Sequence, residues 1–424
     1  MKQSRVLLLF ILLLYELLSP CTSSEIPAKT ILVTYIDRII SRAPIATLSG
    51  SYRRSNNYYS STWSRNLAVR LAQQYQLTIQ AEWPISELGV QCVVYKITDD
   101  RTIDTVLESL AKNKQVESVQ RMGIFNLHTA NPDNSNPGYL DLNRTLQTNL
   151  ETLSLDDVHR RSTGKGISIA LIDTGIDINH PDLEGQISST LNLVDGVSNS
   201  FTEDAHGTAV AGVIAARADN NIGSVGIAPD SRIVALKACW PLQKGGYQAS
   251  CNSLSLSMAI NQAIKMGVDI INLSLSGPPD PLVSRLINQA IAHGIIVVAA
   301  DHGTDQNVGK SFPASMDAVI AARHVQKKVD ASIPASHQSI AVPSADILTT
   351  LPQGKYDLVS GCSIAAAQVS GIVALLLEIK PGLSPSEIQD LFVSTQKKRN
   401  SQATGEVDLH ALISRVHDHQ TDGG

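Results

Sequence analysis

Short β-rich runs alternate with helical segments between residues 25 and 128. Ile103, Val106, Leu107 and Leu110 recur at helical spacing, which is the strongest helical signal in this part of the chain. The predicted elements are strands over 30–37, 90–97 and 116–121 and helices over 66–75 and 102–113, with a loop at 51–64. This mixture predicts a small α+β domain. A linker rich in Asn, Pro, Ser and Gly follows it.

From residue 164 the pattern changes to continuous apolar runs, which are typical of strands buried on both faces. The runs cover 167–172, 233–238, 268–273, 295–300 and 319–322, and helical segments cover 207–217, 254–266 and 281–293. Strands that alternate with helices predict an α/β fold, a parallel sheet covered on both faces. In such sheets the functional groups collect beyond the carboxyl ends of the strands.

One later helix has no polar face. It begins near Ser363, runs through small and apolar residues to 377, and stops at Lys380-Pro381-Gly382, which predicts a helix buried all round. A serine in its first turn lies beside unpaired backbone N–H groups, where negative charge on a bound carbonyl would be stabilised. Taken alone, Ser363 is more readily interpreted as the N-cap of a core helix.

Two upstream residues change that interpretation. Asp173 ends an apolar run and precedes Thr-Gly, so it could form a turn, bind magnesium or orient a histidine. His206 opens a small-residue helix and, by itself, is more often a hydrogen-bonded core histidine than a base. Together, Asp173, His206 and Ser363 supply an orienting carboxylate, a base and a nucleophile in that chain order.

These residues lie in motifs that closely resemble those of the subtilisin-like serine proteases, or subtilases, over about residues 150–410. The motifs are Asp173-Thr174-Gly175-Ile176-Asp177, His206-Gly207-Thr208-Ala209-Val210-Ala211-Gly212 and Gly361-Cys362-Ser363-Ile364-Ala365-Ala366-Ala367. The resemblance implies a subtilisin-like three-layer αβα fold with a central, mainly parallel sheet, preceded by a small ferredoxin-like α+β propeptide domain. It also implies a serine endopeptidase in which Asp173, His206 and Ser363 form the catalytic triad.

The same resemblance implies the partners of the site. The segment Ser274, Leu275, Ser276 and Gly277 would pair with the backbone of a peptide or protein substrate. Residues 25–128 would be an inhibitory propeptide, 129–150 a processing zone, 151–416 the catalytic domain and 417–424 a disordered tail. A monomer is expected.

One departure from the family pattern falls on the oxyanion-binding segment. Where subtilases carry an asparagine that donates to the oxyanion, this chain has Asp301 and His302 after an apolar run. Asp301, His302 or a rearranged Asn307 could take over this role. An ionised aspartate only accepts hydrogen bonds, whereas a suitably oriented histidine could donate one.

The chain ends and composition bear on location and cofactors. Lys2 and Arg5 precede an apolar run at 6–18, so residues 1–24 predict a signal peptide, too short to span a membrane. Secretion, or a periplasmic or cell-envelope location, is therefore expected, with no membrane span in the mature chain. A lipid anchor on Cys21 is disfavoured by Pro20. The net charge of −5 predicts no nucleic-acid partner.

The cysteines and acidic residues carry two further expectations. Cys239 and Cys251 flank a Gly-Gly turn and are disulfide candidates in an oxidising compartment, the alternative being two separate buried thiols. Cysteine spacings match no metal site, and no cofactor is expected. Asp177 and Asp182 are interpreted as turn and helix-start carboxylates; they are compatible with structural calcium, but no ligand spacing requires it.

The sequence thus favours an exported, self-processing serine endopeptidase. The main alternative is a weakly active or inactive relative that binds peptides in the same groove, suggested by the missing oxyanion asparagine. A transpeptidase would need a lid that keeps water from the acyl-enzyme, and no insertion suggests one.

Overall fold

The computed structural model describes residues 29–37, 61–127, 147, 152–194, 198–302, 311–325, 339–395, 398–399, 402–403 and 407–421. The signal peptide predicted at 1–24 lies outside the described residues. So do Asn307 and, apart from Gln147, the processing zone at 129–150.

The N-terminal domain is a four-stranded antiparallel sheet with two helices, in the strand order β2-β3-β1-β4. This is the ferredoxin-like arrangement that was predicted. Its elements are β1 (Thr30–Ile36), α1 (Thr62–Tyr75), β2 (Leu77–Ile85), β3 (Val90–Ile97), α2 (Ile103–Ala111) and β4 (Ser118–Arg121).

Two sequence-based assignments in this domain were incomplete or wrong. Strand β2 was missed, because it contains polar residues and Pro84 and its pairing with β3 is interrupted by an irregularity at Ile79/Ala81. The loop predicted over 51–64 is wrong at its end, because α1 begins at Thr62. The Ser61 side chain caps this helix by accepting a hydrogen bond from the Ser64 backbone N–H.

The central sheet of the second domain has seven strands in the order β14-β13-β12-β11-β6-β8-β7, and every neighbouring pair is parallel. Its strands are β6 (Ser168–Asp173), β7 (Ile187–Asn192), β8 (Arg232–Lys237), β11 (Ile270–Leu273), β12 (Ile296–Ala300), β13 (Ile320–Val325) and β14 (Ile340–Pro343). The carboxyl ends of β6, β8, β11 and β12 therefore meet at one edge of the sheet.

Helices cover both faces of this sheet, as the alternating pattern predicts. They are α3 (Leu155–His159), α4 (Ala205–Ala215), α5 (Ser253–Met266), α6 (Pro281–Ala292), α7 (Cys362–Ile379), α8 (Pro385–Ser394) and α9 (Leu409–Thr421). Apolar side chains of α4, α7 and α9 share one core, while α5 and α6 belong to another. That second core also contains Leu32, Ile85 and Val90 of the N-terminal sheet, so the two domains pack together through α5 and α6.

Helix α7 is the one described helix that is long and apolar enough to cross a membrane, but 89% of its apolar window is buried inside the fold. It is the core helix that the sequence predicted. Helix α9 continues to Thr421, so the disordered tail predicted at 417–424 is wrong for 417–421. No helix-breaking residue occurs before Gly423, and polar side chains alone do not end a helix.

Short strands complete the fold. Strand β5 (Ile124–Leu127) leaves the N-terminal sheet and pairs with β10 (Ala249–Asn252), which in turn pairs with β9 (Cys239–Pro241). The hairpins β15 (Ile347–Leu351)–β16 (Lys355–Val359) and β17 (Lys398–Arg399)–β18 (Gln402–Ala403) lie later in the chain.

Candidate active site

A buried carboxylate–imidazole pair lies at the carboxyl end of the central sheet. Asp173 is the last residue of β6, and His206 is in the first turn of α4. The His206 Nδ1 atom lies 2.8 Å from Asp173 Oδ1, and both side chains are buried. The Thr174 backbone N–H also donates to Asp173 Oδ1, at 2.7 Å. Such contacts fix the tautomer and orientation of the ring.

The start of α4 is held against the loop after β6. Gly207 N donates to Thr174 Oγ1 at 2.9 Å, and a Cβ atom at Gly207 would lie 2.4 Å from the Gly175 carbonyl oxygen. Only glycine permits this close approach. The small-residue motif after His206 thus serves to bring the imidazole next to the strand end. The His206 Nε2 atom makes no hydrogen bond to any described residue.

Ser363 lies in the first turn of α7, which packs against α4, and it is fully buried. It does not act as the N-cap. That position belongs to Gly361, and no side chain caps the helix. Instead, Ser363 Oγ donates to the Ser274 carbonyl at 2.9 Å, and Ser274 Oγ donates back to the Ser363 carbonyl at 3.0 Å. These two bonds tie the predicted nucleophile to the segment that follows β11.

The predicted substrate-binding segment, 274–277, is already paired with a strand of the same chain. Asn126 in β5 and Ser276 exchange two backbone hydrogen bonds, of 2.8 and 3.0 Å. Because β10 pairs with the other edge of β5, residues 124–127 lie as an extended peptide between β10 and the segment 274–277 of the second domain. This is the geometry of peptide recognition by β-strand addition.

An aromatic anchor accompanies this pairing. Phe125 is fully buried, and its ring centroid is 6.1 Å from that of Phe312. A Cβ atom at Gly277 would lie 2.5 Å from the Phe125 ring. The glycine therefore provides the space that the aromatic side chain fills.

Polar contacts also join the N-terminal domain to the first turns of α5 and α6. Gln120 Nε2 donates to Asp280 Oδ2 at 2.8 Å, and the Leu282 backbone N–H donates to Gln120 Oε1 at 3.1 Å. Gly123 N donates to Ser253 Oγ at 2.7 Å. Helix N-termini carry unpaired N–H groups, which the docked domain partly satisfies.

The two residues of the divergent oxyanion segment have different environments. Asp301 follows β12 and is fully buried, and its two carboxylate oxygens accept hydrogen bonds from the hydroxyls of Ser311 and Ser339, each at 2.7 Å. This carboxylate is therefore engaged by serine side chains. The His302 backbone N–H donates to Ser311 Oγ at 3.1 Å, and the His302 ring is the candidate donor in this segment.

Cys362 precedes the predicted nucleophile and stays a thiol. Burial raises the pKa of Cys362, the backbone N–H of His324 opposes this shift, and the nearby Asp301 adds to it. The other free cysteine among the described residues, Cys92, is buried in the N-terminal domain, where burial raises its pKa to about 12. Neither thiol has the lowered pKa of a reactive cysteine.

A buried ion pair that was not predicted from the sequence lies beside Asp173 and His206. Lys237 ends β8 directly beside Asp173 in the parallel register, and its Nζ atom lies 2.5 Å from Asp204 Oδ2. The Gly175 backbone N–H donates to the same oxygen at 2.8 Å. Burial raises the pKa of Asp204, and the lysine opposes this shift. A lysine at the end of an apolar strand was the available signal.

Asp177 and Asp182, the carboxylates considered for calcium, accept hydrogen bonds from protein groups. Asp177 accepts from the backbone N–H groups of Asn179 and Gln353. Asp182 accepts from Asn220 Nδ2 at 2.6 Å and from the Ser224 N–H at 2.8 Å. Donors in these positions do not fit a cation site, which needs converging oxygen ligands. Within the described residues, no three His, Cys, Asp or Glu side chains form a group that could hold a metal.

Cys239 and Cys251 form a disulfide between β9 and β10. The alternative of two separate thiols does not hold in this structure. Because β10 pairs with β5, the disulfide lies in the strand pair that borders the occupied cleft.

Comparison with known proteins identifies the family of this chain. Residues 164–409 match the subtilase family, peptidase S8. The chain belongs to the subtilase family. The major intracellular serine protease of Bacillus subtilis is 36% identical over 225 residues, which are 50% of this chain and 69% of that protein. Subtilisin DY of Bacillus licheniformis is 30% identical over 262 residues, 59% of this chain and 92% of that protein.

A solved structure shares the fold. Fervidolysin from Fervidobacterium pennivorans, described as a keratinolytic enzyme related to subtilisin, superposes with a TM-score of 0.66 at 22% identity, over 91% of this chain and 61% of that chain. Identity this low supports the fold alone. Together with the family match, it confirms the predicted subtilisin-like αβα architecture, and the family match and the subtilisin relatives establish this subtilase as a serine-type endopeptidase.

Proposed function

We propose that this subtilase is an exported endopeptidase, made as a zymogen that removes its own N-terminal domain, with Asp173, His206 and Ser363 as its triad. The observation that carries the proposal is the occupied cleft. A strand of the same chain pairs with Ser276 as a substrate would, and the Ser274 carbonyl, two residues away, accepts a hydrogen bond from Ser363 Oγ. The buried Asp173–His206 contact of 2.8 Å supports the chemistry.

In the proposed reaction, Ser363 Oγ attacks the peptide carbonyl while His206 takes its proton. The imidazolium is stabilised by Asp173, and it then delivers a proton to the leaving amine. Water hydrolyses the acyl-enzyme by the same route in reverse. The Ser363 backbone N–H in the first turn of α7 would donate to the oxyanion, and the His302 ring would provide the second donor.

The register of β5 indicates which bond is cut first. Asn126 and Ser276 form a hydrogen-bonded antiparallel pair, and such pairs recur at every second residue. If this register continued toward the nucleophile, the next such pair would combine Ser274 with position 128. We therefore propose that Ser363 cleaves the bond between His128 and Thr129, which leaves residues 124–127 in the cleft as an inhibitory product strand.

Export rests on the signal pattern of residues 1–24 and on the disulfide. Disulfides persist in oxidising compartments and are rare in the cytosol, so the Cys239–Cys251 bond favours secretion or a periplasmic or envelope location. The substrate is proposed to be an extended segment of a peptide or protein, with an aromatic residue in the position of Phe125. We propose that the processed enzyme works as a monomer and needs no cofactor or metal.

A second candidate is a subtilase of very low turnover that holds peptides. Two observations favour it. The oxyanion segment carries Asp301 and His302 in place of the usual asparagine, and the Ser363 hydroxyl is bonded to a carbonyl oxygen. Self-processing is the discriminating property.

The test is the intact mass and N-terminal sequence of the exported chain beside its Ser363→Ala variant. We expect Thr129 as the new N-terminus of the wild type only, and an intact N-terminal domain in the variant. If neither chain is processed, the zymogen proposal fails and the peptide-binding candidate is favoured. If both chains are processed at the same bond, another protease cleaves that bond.

A further inference from the structure

We infer that the buried Asp204–Lys237 ion pair is a positioning device that sets the charge felt by His206 and thereby the pH at which the protease works. The inference rests on the proposed function, in which His206 is the base. Neither residue touches the reacting atoms. Both act through the loop that carries Asp173 and through the first turn of α4.

Two buried carboxylates near His206 accept hydrogen bonds from consecutive backbone N–H groups. The Thr174 N–H donates to Asp173, and the next N–H, of Gly175, donates to Asp204. Asp204 directly precedes α4, two residues before His206, so their Cα atoms are at most about 7.6 Å apart. At this range, in a dry site, a unit charge strongly biases a titrating group.

Lys237 is the cation that offsets this second carboxylate. Its Nζ atom lies 2.5 Å from Asp204 Oδ2, and both side chains are at least 95% buried. Because the two charges are opposite, their effects on the imidazole partly cancel, and Asp173 is the carboxylate in direct contact with the ring. A buried lysine is costly unless it is paired. A lysine at the end of β8, beside Asp173, therefore points to a role at this site.

Other titratable groups of the described residues also lie on elements packed against α4. Arg232 of β8 donates to the Gly185 carbonyl, and Glu378 of α7 accepts hydrogen bonds from the Thr163 and Gly164 backbone N–H groups. Asp177 and Asp182 accept hydrogen bonds from neighbouring loops, His180 Nε2 lies 3.0 Å from the Lys355 carbonyl, and burial keeps Cys362 a thiol. Asp173 and Asp204 are thus the two carboxylates bonded to the backbone beside the imidazole, and Lys237 bonds to one of them.

The direction in which each substitution moves the pH profile follows from the charge that it removes. Asp204→Asn removes a negative charge close to His206, which disfavours the imidazolium, so activity should persist to lower pH. Lys237→Met leaves the Asp204 carboxylate, which favours the imidazolium, so activity begins at higher pH. We expect the acid limb of kcat/KM to move in these opposite directions, by on the order of one pH unit. In the double variant Asp204→Asn/Lys237→Met, the acid limb of kcat/KM should lie close to that of the wild type.

Surface neighbours provide matched controls. Glu203 precedes Asp204 and pairs with Lys244 at 3.1 Å, with side chains 49% and 85% exposed. Glu203→Gln and Lys244→Met make the same charge changes in solvent, where screening removes their effect. Both should leave the acid limb in place.

The experiment is the pH profile of kcat/KM for processed wild type and variants on one peptide substrate. A titration of ¹³C-labelled histidine by NMR accompanies it in the Ser363→Ala chain, with His206 assigned by its substitution. Opposite shifts that cancel in the double variant support the inference. Unchanged midpoints in both single variants, or shifts of the same sign, overturn it. Because the NMR titration needs no turnover, a chain without activity would refute the proposed function and still test the ion pair.

Discussion

Replacing Phe125 by alanine is expected to release the cleaved N-terminal domain from the protease. In the structure Phe125 is fully buried, and its ring lies near Phe312 and against Gly277. The main-chain hydrogen bonds of β5 would remain in the variant, so the loss isolates the aromatic anchor. The N-terminal domain would keep its polar contacts with α5 and α6.

The expected magnitude follows from burial. Truncating a buried phenylalanine to alanine costs about 3–5 kcal/mol, which includes the cavity left behind. Phe125 lies on a short strand between two domains, where neighbours can relax, so the low end, about 3 kcal/mol, applies. At about 1.4 kcal/mol per tenfold change, the dissociation constant should rise roughly a hundredfold.

The assay is the recovery of peptidase activity when the processed complex is diluted, together with the fraction of free N-terminal domain by size-exclusion chromatography. Val69→Ala is the matched control, because Val69 lies on α1 of the same domain and is 46% exposed. Gly277→Ala should mimic Phe125→Ala from the protease side. The two changes should not be additive, since both act on the same ring. A Phe125→Ala complex that holds as tightly as the Val69→Ala complex would refute the anchor.

Other variants probe the remaining features. His302→Ala removes the proposed second oxyanion donor and should lower kcat by roughly 10²–10³, whereas His302→Asn supplies the family's amide donor and should retain activity; an unchanged kcat in His302→Ala would contradict the role given to His302. Asp301→Asn weakens the acceptor for two serine hydroxyls and should cost about 1–3 kcal/mol of unfolding free energy, measured by urea denaturation. A calcium chelator should leave Tm unchanged, and a lowered Tm would reveal a cation site. The double variant Cys239→Ser/Cys251→Ser opens a loop of sequence separation 12 and should lose about 3 kcal/mol of stability.

The sequence predicted the parts of the fold that depend on local pattern. Two continuous apolar runs, one that ends at Asp173 and one that ends just before Ser274, are parallel strands in the structure. The all-apolar run after Ser363 is the buried helix α7. The order of Asp173, His206 and Ser363 along the chain, together with the resemblance to subtilases, implies that Asp173 and His206 lie together at the carboxyl edge of the sheet. Their 2.8 Å contact agrees with that expectation.

What could not be predicted depends on pairing between distant segments. Strand β5 has only four residues and leaves its own domain to pair with β10 and Ser276. Nothing in a four-residue run specifies a partner more than a hundred residues away. The Asp204–Lys237 pair was not predicted for a different reason: a charged residue at a strand end is usually solvated. Asp301 was considered as an oxyanion donor because its serine partners could not be read from sequence spacing.

The contact between Ser363 and Ser274 connects substrate binding to the nucleophile in the proposed mechanism. In the present structure the Ser274 carbonyl accepts the Ser363 hydroxyl. A peptide that continues the Asn126–Ser276 register brings its own N–H to that carbonyl, so the two donors compete. When the hydroxyl turns away, the mechanism offers it His206 Nε2, which has no hydrogen-bond partner among the described residues. A long peptide that fills the cleft should therefore raise kcat as well as lower KM, because main-chain pairing would itself free the nucleophile for its base.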